Sequence, residues 1–165
     1  MVSEGTRKET RQLNTIEVRI VKLEPSRVAS ARAFGPSPES IAWQKLLTWA
    51  RANGIPTEQG KTRFFGFNNP NPSAGSPNYG YEQWMTVGNN VTGSGEVQVK
   101  QFPGGLYCVT RCTLANISEA WQALVAWAEQ SKYEEGNGVC LEECLSTVPA
   151  EFPVAVFDLY LPINE

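Results

Sequence analysis

Two short stretches of the chain place an acid and an aromatic residue two positions apart. In YEQWMTV, Glu82 is followed at this spacing by Trp84, and in FDLYLPI, Asp158 is followed by Tyr160. Both stretches have the composition of β-strands, in which side chains two residues apart lie on the same face of the sheet. Each carboxylate is therefore predicted to lie beside a ring. Such a pair attracts organic cations by charge and by cation–π contact, which contributes about 0.5–2 kcal/mol per ring.

The same arrangement suits proton transfer. A carboxylate among aromatic rings loses hydration, which raises its pKa towards the range in which a general acid works best. Glu82 has the longer side chain and reaches further from the strand than Asp158, so we predict Glu82 as the catalytic acid/base if the protein is an enzyme. The chain contains no histidine, which excludes His-based triads and imidazole metal ligands. A group that titrates near neutral pH must then be a carboxyl, Cys, Tyr or Lys with a shifted pKa.

The four cysteines form two pairs of equal spacing. Cys108 and Cys112 flank VTR, and Cys140 and Cys144 flank LEE. A four-thiolate zinc site is one hypothesis, but zinc ligands usually lie on tight turns, whereas these pairs lie on predicted strands. We therefore predict buried apolar cysteines in a reducing compartment, with no metal and no other cofactor.

The two acid–aromatic stretches belong to an internal repeat. In one ungapped frame, VKLEP (21–25) aligns with VKQFP (99–103), and SIAWQKLLTWA (40–50) aligns with SEAWQALVAWA (118–128). After the alignment frame shifts by two residues, YEQWMTV aligns with FDLYLPI, so Glu82 matches Asp158 and Trp84 matches Tyr160. The repeat predicts two related halves, at about 15–88 and about 95–163.

Each half has the pattern of a strand segment, a helix and two further strands. The first segment is interrupted at Pro25 in one half and at Pro103 in the other, so it is either one bent strand or two. Apolar residues at helical spacing follow in both halves. The predicted fold is α+β, with two βαββ-type repeats related by a pseudo-twofold axis. Antiparallel sheets are expected to surround a central groove, with the helices on the outer side.

Alternation along the strands assigns side chains to faces. The apolar set around Met85 and Val87 is expected to pack beneath a helix, which turns Glu82 and Trp84 towards the groove. Phe65 and Phe67 share one face and line either the groove or the core. In CLEEC, the adjacent acids point to opposite faces, and Glu142 is kept as a further candidate. The predicted ligand-binding residues are Glu82, Trp84, Tyr160, Asp158, Phe65, Phe67 and Glu142.

Composition excludes several classes of protein. The 165 residues carry a net charge of −3 and are 41% hydrophobic and 19% charged. These values are ordinary for a globular domain. No cluster of Lys and Arg indicates nucleic-acid binding, and no apolar run is long enough to span a bilayer. The first residues, MVSEGTRKETRQLNT, lack the apolar core of a signal peptide. We predict a flexible leader over 1–14, a single domain over 15–165, a cytoplasmic location, and no direct binding to nucleic acid or membrane.

The chain resembles the GyrI-like family, which comprises gyrase-inhibitory proteins and AraC-type effector-binding domains. The motifs that carry the resemblance are VRIVKLEPSRVASARAFG, FFGFNNPNP, YGYEQWMTV, FPGGLYCVTRCT, EAWQALVAW and FDLYLPI, and it covers roughly residues 15–163. The resemblance implies two βαββ-type repeats around a groove that binds small organic molecules, often aromatic and cationic. In multidomain relatives this module is joined to a helix-turn-helix domain and senses drugs.

The resemblance leaves three functional hypotheses. The first is a stand-alone small-molecule-binding protein that sequesters or senses an aromatic or cationic ligand through Glu82, Trp84 and Tyr160. The second follows from stand-alone relatives that are hydrolases: a cofactor-free enzyme that opens cyclopropane-type electrophiles for self-resistance or detoxification. The third is a module that inhibits a protein partner such as a topoisomerase. The Asn- and Pro-rich segment GFNNPNPSAGSPNYG is predicted to be a loop, either a rim of the groove or a plain surface connection.

Overall fold

The computed structural model describes residues 16–58, 60–146 and 155–165. The predicted leader over 1–14 lies outside the described residues. A short 3₁₀ turn, Leu114–Asn116, leads into the second α-helix. The elements are β1 Arg19–Leu23, β2 Ser26–Gly35, α1 Pro38–Ala52, β3 Phe64–Asn68, β4 Tyr79–Val87, β5 Gln98–Phe102, β6 Gly105–Thr113, α2 Ile117–Glu129, β7 Glu134–Glu135, β8 Leu141–Cys144 and β9 Val156–Asn164.

The strands form one continuous antiparallel sheet that is curled into a half-barrel. Its strand order is β1-β6-β9-β8-β3-β4-β2-β5, and β7 pairs separately with β9. Both α-helices pack on the same face of this sheet, so the predicted α+β class is confirmed. In the repeat, β1 corresponds to β5, β2 to β6, β3 to β8 and β4 to β9. When each strand is replaced by its counterpart and the order is read backwards, the same strand order results.

The first segment of each half is two strands rather than one bent strand. β1, the first strand of the first half, pairs with β6 of the second half. In the same way β5, the first strand of the second half, pairs with β2 of the first half. Pro25 lies at the bend between β1 and β2, where its missing N–H breaks the ladder. The matching bend contains Gly104, which has a φ of +73° and packs against Leu23 so closely that a Cβ would overlap the Leu23 carbonyl oxygen. The two bends therefore cross in direct contact.

The two helices cover the sheet unequally. α1 begins with Pro38, whose fixed φ suits the first helical turn, and it buries six residues against the sheet. α2 is preceded by Thr113 and Asn116, which cap each other's backbone, and Leu124 is its one buried residue. Phe157 of β9 packs against the core beneath both helices. α2 is therefore the more superficial of the two, and the helices leave a cleft between them.

The predicted assignment of side chains to faces is confirmed, and the described residues of the inner face pack against one another instead of lining an open groove. Met85 packs beneath α1 and Leu159 beneath α2, whereas Trp84 and Tyr160 lie on the opposite, inner face. The inner face is filled by a packed apolar cluster, in which Trp84 is 6% and Tyr160 is 3% exposed. Among the described residues, the aromatic rings of this face contact one another, as Trp84 does Phe102 and Tyr160 does Tyr107. The cluster consists of Leu23, Val28, Phe65, Trp84, Phe102, Tyr107, Val109, Leu141 and Tyr160.

The cysteines are free thiols. Cys108, Cys112 and Cys144 are buried as predicted, but Cys140 is exposed. Burial raises the pKa of the Cys108 thiol to about 11 and that of Cys112 to about 12, so both are neutral at physiological pH. Within the described ranges, no three His, Cys, Asp or Glu side chains are grouped as a metal site would require. In the same ranges, no helix is long and apolar enough to cross a membrane.

Candidate functional site

A cleft of about 1020 Å³ lies between α1 and α2, on the helix-covered face of the sheet. Aromatic side chains provide much of its lining, with Trp43 on α1 and Trp121 on α2. Pro72, in the loop between β3 and β4, also contributes, so this predicted loop forms part of the rim. The side chains that line the cleft from the sheet are Asn68, Tyr79, Tyr81, Glu142 and Phe157.

Glu142 on β8 supplies a carboxylate to this cleft. Its Oε1 accepts a hydrogen bond of 3.0 Å from the Tyr81 hydroxyl, and its Oε2 accepts one of 2.9 Å from Nε1 of Trp121. Burial raises the pKa of Glu142, and the bonds from Trp121 and Tyr81 offset that rise only in part. Among the described residues, no basic side chain forms an ion pair with it. The carboxylate is therefore oriented by two neutral donors and has no counter-charge within the described part of the chain.

Gly66 makes the contact between Tyr81 and Glu142 possible. Tyr81 lies on β4 and Glu142 on β8, and β3 runs between these two strands. Gly66 of β3 is paired directly with Glu142, and a Cβ at this position would overlap the Tyr81 hydroxyl and lie 2.6 Å from its Cζ. The Tyr81 ring therefore crosses β3 through the space that a side chain would fill. Glycine is required here by this close approach, not by its backbone conformation.

We predict that Gly66→Ala lowers the free energy of unfolding by about 1–3 kcal/mol, because the new methyl group must displace a buried ring. Urea denaturation would measure the change. In a Tyr81→Ala background the same substitution should cost less than about 0.5 kcal/mol, since the ring that it strikes is gone. Equal costs in both backgrounds would show that Tyr81 does not occupy this space.

A second acid lies at the beginning of α1. Glu39 accepts a hydrogen bond of 2.5 Å from the Tyr79 hydroxyl, and both residues line the cleft. Loss of hydration and the bond to Glu39 raise the pKa of Tyr79 to about 12. Arg51, in the last turn of the same helix, lines the cleft as well. Among the residues that the structure describes, two carboxylates and one guanidinium group therefore line the cleft.

Comparison with family models assigns this fold. The model of the GyrI-like small molecule binding domain matches residues 16–164, nearly the whole chain. The chain belongs to the GyrI-like family. Comparison with curated protein sequences gives no significant match.

Solved structures share the fold of this GyrI-like domain at low sequence identity. The EcmrR chain in a cryo-EM structure of an EcmrR–DNA complex has a TM-score of 0.73 and 12% identity; the match covers 97% of this chain and 62% of the EcmrR chain. A hydrolase from Listeria innocua has a TM-score of 0.65 and 13% identity, with coverage of 96% and 98%. SAV2435 bound to tetraphenylphosphonium has a TM-score of 0.57 and 9% identity, with coverage of 90% and 94%.

Glu82, the predicted acid/base, is a buried hydrogen-bond acceptor on the inner face of the GyrI-like domain. It is 3% exposed and accepts bonds from Trp84 Nε1 at 2.6 Å, Lys100 Nζ at 2.7 Å, Ser30 Oγ at 2.8 Å and Asn69 Nδ2 at 3.1 Å. Burial alone would raise the pKa of Glu82, but these four donors lower it below its ordinary value. The expected raised pKa is therefore wrong for this residue, which is held as an ion-paired carboxylate and is poorly suited to donate a proton.

Asp158, the counterpart of Glu82 in the repeat, is also ion-paired. Its carboxylate accepts bonds of 2.8 Å from Arg19 Nη2 and 2.9 Å from Arg111 Nε. These guanidinium groups outweigh the effect of burial and hold the pKa of Asp158 below its ordinary value. Unlike the indole of Trp84, the ring of Tyr160 does not bond the acid two positions before it: its hydroxyl donates to Glu143 at 2.6 Å.

The remaining predicted residues divide between the two faces. Phe65 and Phe67 belong to the inner face, where their rings contact Tyr160 and Trp84 edge-on at centroid distances of 5.8 Å and 5.0 Å. Of the seven predicted ligand-binding residues, Glu142 alone lines the cleft. The cleft residues that the sequence analysis did not select include Trp43, Trp121, Tyr79, Tyr81, Glu39 and Phe157. The repeat held a signal for two of these, because Trp43 and Trp121 occupy equivalent positions in the aligned helices.

Proposed function

We propose that this GyrI-like domain binds an aromatic organic cation in the cleft between α1 and α2, with Glu142 as the counter-charge. The observation that carries the proposal is a poorly hydrated carboxylate without an ion-pair partner among the described residues, in a cleft lined by aromatic rings. A buried carboxylate without a counter-charge costs free energy. A bound cation would remove that cost, which makes the cleft more favourable for cations than for neutral ligands of the same shape.

The surroundings of Glu142 add selectivity for aromatic and lipophilic cations. Trp43 and Trp121 provide rings from the two helices, and each cation–π contact contributes about 0.5–2 kcal/mol. The bonds from Tyr81 and Trp121 fix the carboxylate before a ligand arrives, so little ordering is required on binding. The cleft volume of about 1020 Å³ accommodates a ligand with several rings.

The structure of SAV2435 with tetraphenylphosphonium supports this ligand class by analogy, because that protein shares the fold and holds a lipophilic aromatic cation. Sequestration or sensing of such a compound is the proposed role. We further propose that the two halves are related by a pseudo-twofold axis, which the reversible strand order supports. Under this proposal, Glu82, Trp84, Asp158 and Tyr160 stabilise the inner core that joins the halves; the same structural role is proposed for Phe65 and Phe67.

A pair of ions of the same shape and opposite charge tests the proposal. Tetraphenylphosphonium is expected to bind at micromolar concentration, whereas tetraphenylborate should bind at least tenfold more weakly, because the cleft carries an unpaired carboxylate. Isothermal titration calorimetry would measure both affinities. Equal affinity for the two ions would show that apolar contact alone drives binding, and preference for the borate would refute the proposed charge of the site.

The hydrolase alternative applies to the same cleft. The raised pKa of Glu142 favours it over Glu82 as a general acid, because an acid donates best when its pKa is near the working pH. Chromatography of a strained cyclopropane electrophile incubated with the domain would detect a ring-opened product. Product formation that disappears in Glu142→Gln would add hydrolysis to the proposed binding function, and unchanged starting material would leave binding alone.

A further inference from the structure

The second carboxylate in the cleft has no part in the proposed binding of a single positive charge. Glu39 lies in the first turn of α1 and lines the cleft together with Glu142. Neither acid forms an ion pair with a basic side chain among the residues that the structure describes. This inference rests on the proposed function and concerns the class of cation that the site prefers.

The two acids are held by two tyrosines of one strand. Tyr79 and Tyr81 lie on the same face of β4, about 7 Å apart along the strand. Tyr81 extends across Gly66 towards β8 and donates to Glu142, whereas Tyr79 donates to Glu39 at the start of α1. The strand therefore positions two separate carboxylates along the cleft, instead of one site in which two acids share a single ligand atom.

Charges are arranged unevenly along the cleft. Glu39 and Arg51 lie in the first and last turns of α1. At the ordinary rise per residue of an α-helix, the two positions are about 18 Å apart along the axis. Both carboxylates are near the Tyr79–Tyr81 end, where the negative charge of Glu39 contributes to the raised pKa of Glu142. One bound positive charge neutralises one of these acids and leaves the other without a counter-charge.

We propose that the cleft is a site for aromatic dications, in which Glu142 neutralises one positive centre and Glu39 neutralises the other. Glu142 acts from the floor of the sheet, and Glu39 acts from the rim. The guanidinium of Arg51 repels positive charge at the far end of α1 and thereby orients an elongated ligand with its cationic centres towards the tyrosines. Glu39 is therefore a specificity-determining residue.

Methyl viologen and N-methyl-4-phenylpyridinium test the proposal, because they have nearly the same size and shape but carry two charges and one charge. Calorimetry at low ionic strength is expected to show that the wild-type domain binds the dication at least tenfold more tightly than the monocation. Glu39→Gln should reduce this preference to within about twofold, because it weakens the binding of the dication more than that of the monocation. Glu119→Gln is the matched control: it removes one acid from the first turn of α2, outside the cleft, and should retain the preference.

The results of these titrations distinguish failure of the dication proposal from failure of the proposed cation binding. If the monocation and tetraphenylphosphonium bind but methyl viologen shows no advantage, the second-charge proposal is wrong and the cation site stands. An advantage that persists in Glu39→Gln, or that Glu119→Gln removes to the same extent, would also overturn the role of Glu39. If no cation binds to a folded wild-type domain, both proposals fail. Thermal unfolding of each variant would establish that it is folded under the conditions of titration.

Discussion

Glu142→Gln is expected to weaken the binding of tetraphenylphosphonium by about 100-fold, which corresponds to about 2.7 kcal/mol. The amide keeps the size of the side chain and an oxygen that can accept from Tyr81 or Trp121. It removes the negative charge, which is the component of the site that distinguishes a cation from a neutral ligand. Calorimetric titration of the wild type and the variant would measure the difference.

The same substitution should not destabilise the domain. Burial raises the pKa of Glu142, so the folded state bears a cost for its ionised form at neutral pH. We expect the free energy of unfolding to stay within about 1 kcal/mol of the wild-type value, or to rise slightly. A large loss of stability in Glu142→Gln would indicate that the carboxylate has a charged structural partner, contrary to the proposed site.

Glu143→Gln is the matched control, because the neighbouring acid points to the opposite face of β8. Glu143 accepts bonds of 2.8 Å and 3.0 Å from Arg63, as well as the bond from the Tyr160 hydroxyl. We expect this variant to lose about 1–3 kcal/mol of stability and to bind tetraphenylphosphonium within twofold of the wild type. The reverse pattern, with binding lost in Glu143→Gln and kept in Glu142→Gln, would move the site to the inner face.

The second large effect concerns stability and the two acids of the inner face. Glu82→Ala is expected to lower the free energy of unfolding by about 2–4 kcal/mol, because buried donors lose their acceptor. Asp158→Ala is expected to lower it by about 1–2 kcal/mol, because its partners Arg19 and Arg111 are more than half exposed and become hydrated in the variant. For Glu82 these donors include the indole N–H of Trp84 and the hydroxyl of Ser30. Glu96→Ala serves as the control, since the contact of Glu96 with Lys45 is 3.4 Å long and exposed. The loss of such an exposed ion pair should cost less than about 0.5 kcal/mol.

The sign of the pH dependence follows from the direction of each shift. The pKa values of Glu82 and Asp158 are lowered in the folded state, so both acids stabilise the fold above their ordinary pKa values, which are near 4. This contribution is lost as the pH falls through the lowered values. Glu142 has the opposite effect, because its pKa is raised in the folded state. Its contribution to stability is complete at pH values below its ordinary pKa and is lost as the pH rises through its pKa in the folded state.

Urea denaturation at pH 7, 5, 4 and 3 would measure these contributions. Wild-type stability is expected to fall steeply below about pH 4, whereas Asp158→Asn should start from a lower stability at pH 7 and fall less steeply. A variant that keeps the full wild-type dependence on pH would show that Asp158 is not the group that responds. Glu142→Gln should make the loss steeper as the pH falls from 7 towards 4, because it removes the opposing contribution of a raised pKa.

The sequence predicted the fold class and the faces of the strands because both depend on local periodicity. Alternation in YEQWMTV was sufficient to separate Met85 from Trp84, and the repeat indicated which residues are equivalent. The pairing of the strands could not be predicted from local periodicity. β1 and β2 are neighbours in the chain but pair with strands of the other half, and this exchange depends on the contact between two distant bends at Pro25 and Gly104.

The candidate site was harder to predict, because its position depends on which face of the sheet has an open cleft. Periodicity placed Glu82 and Trp84 on a shared face with Asp158 and Tyr160, but it does not indicate whether the rings there meet or leave a groove. In the curled sheet, the described residues of this face pack into one apolar cluster. Trp43 and Trp121 lie on helices with apolar stripes, where core packing was the ordinary expectation. Their position beside an open cleft follows from the shallow packing of α2, which no local pattern records.

A crystal structure of the domain with tetraphenylphosphonium tests the central claim most directly. We predict the cation between α1 and α2, in contact with Trp43 and Trp121 and within reach of the Glu142 carboxylate. A cation bound on the inner face, against Trp84 and Tyr160 with Glu82 as its counter-charge, would contradict this assignment of the site.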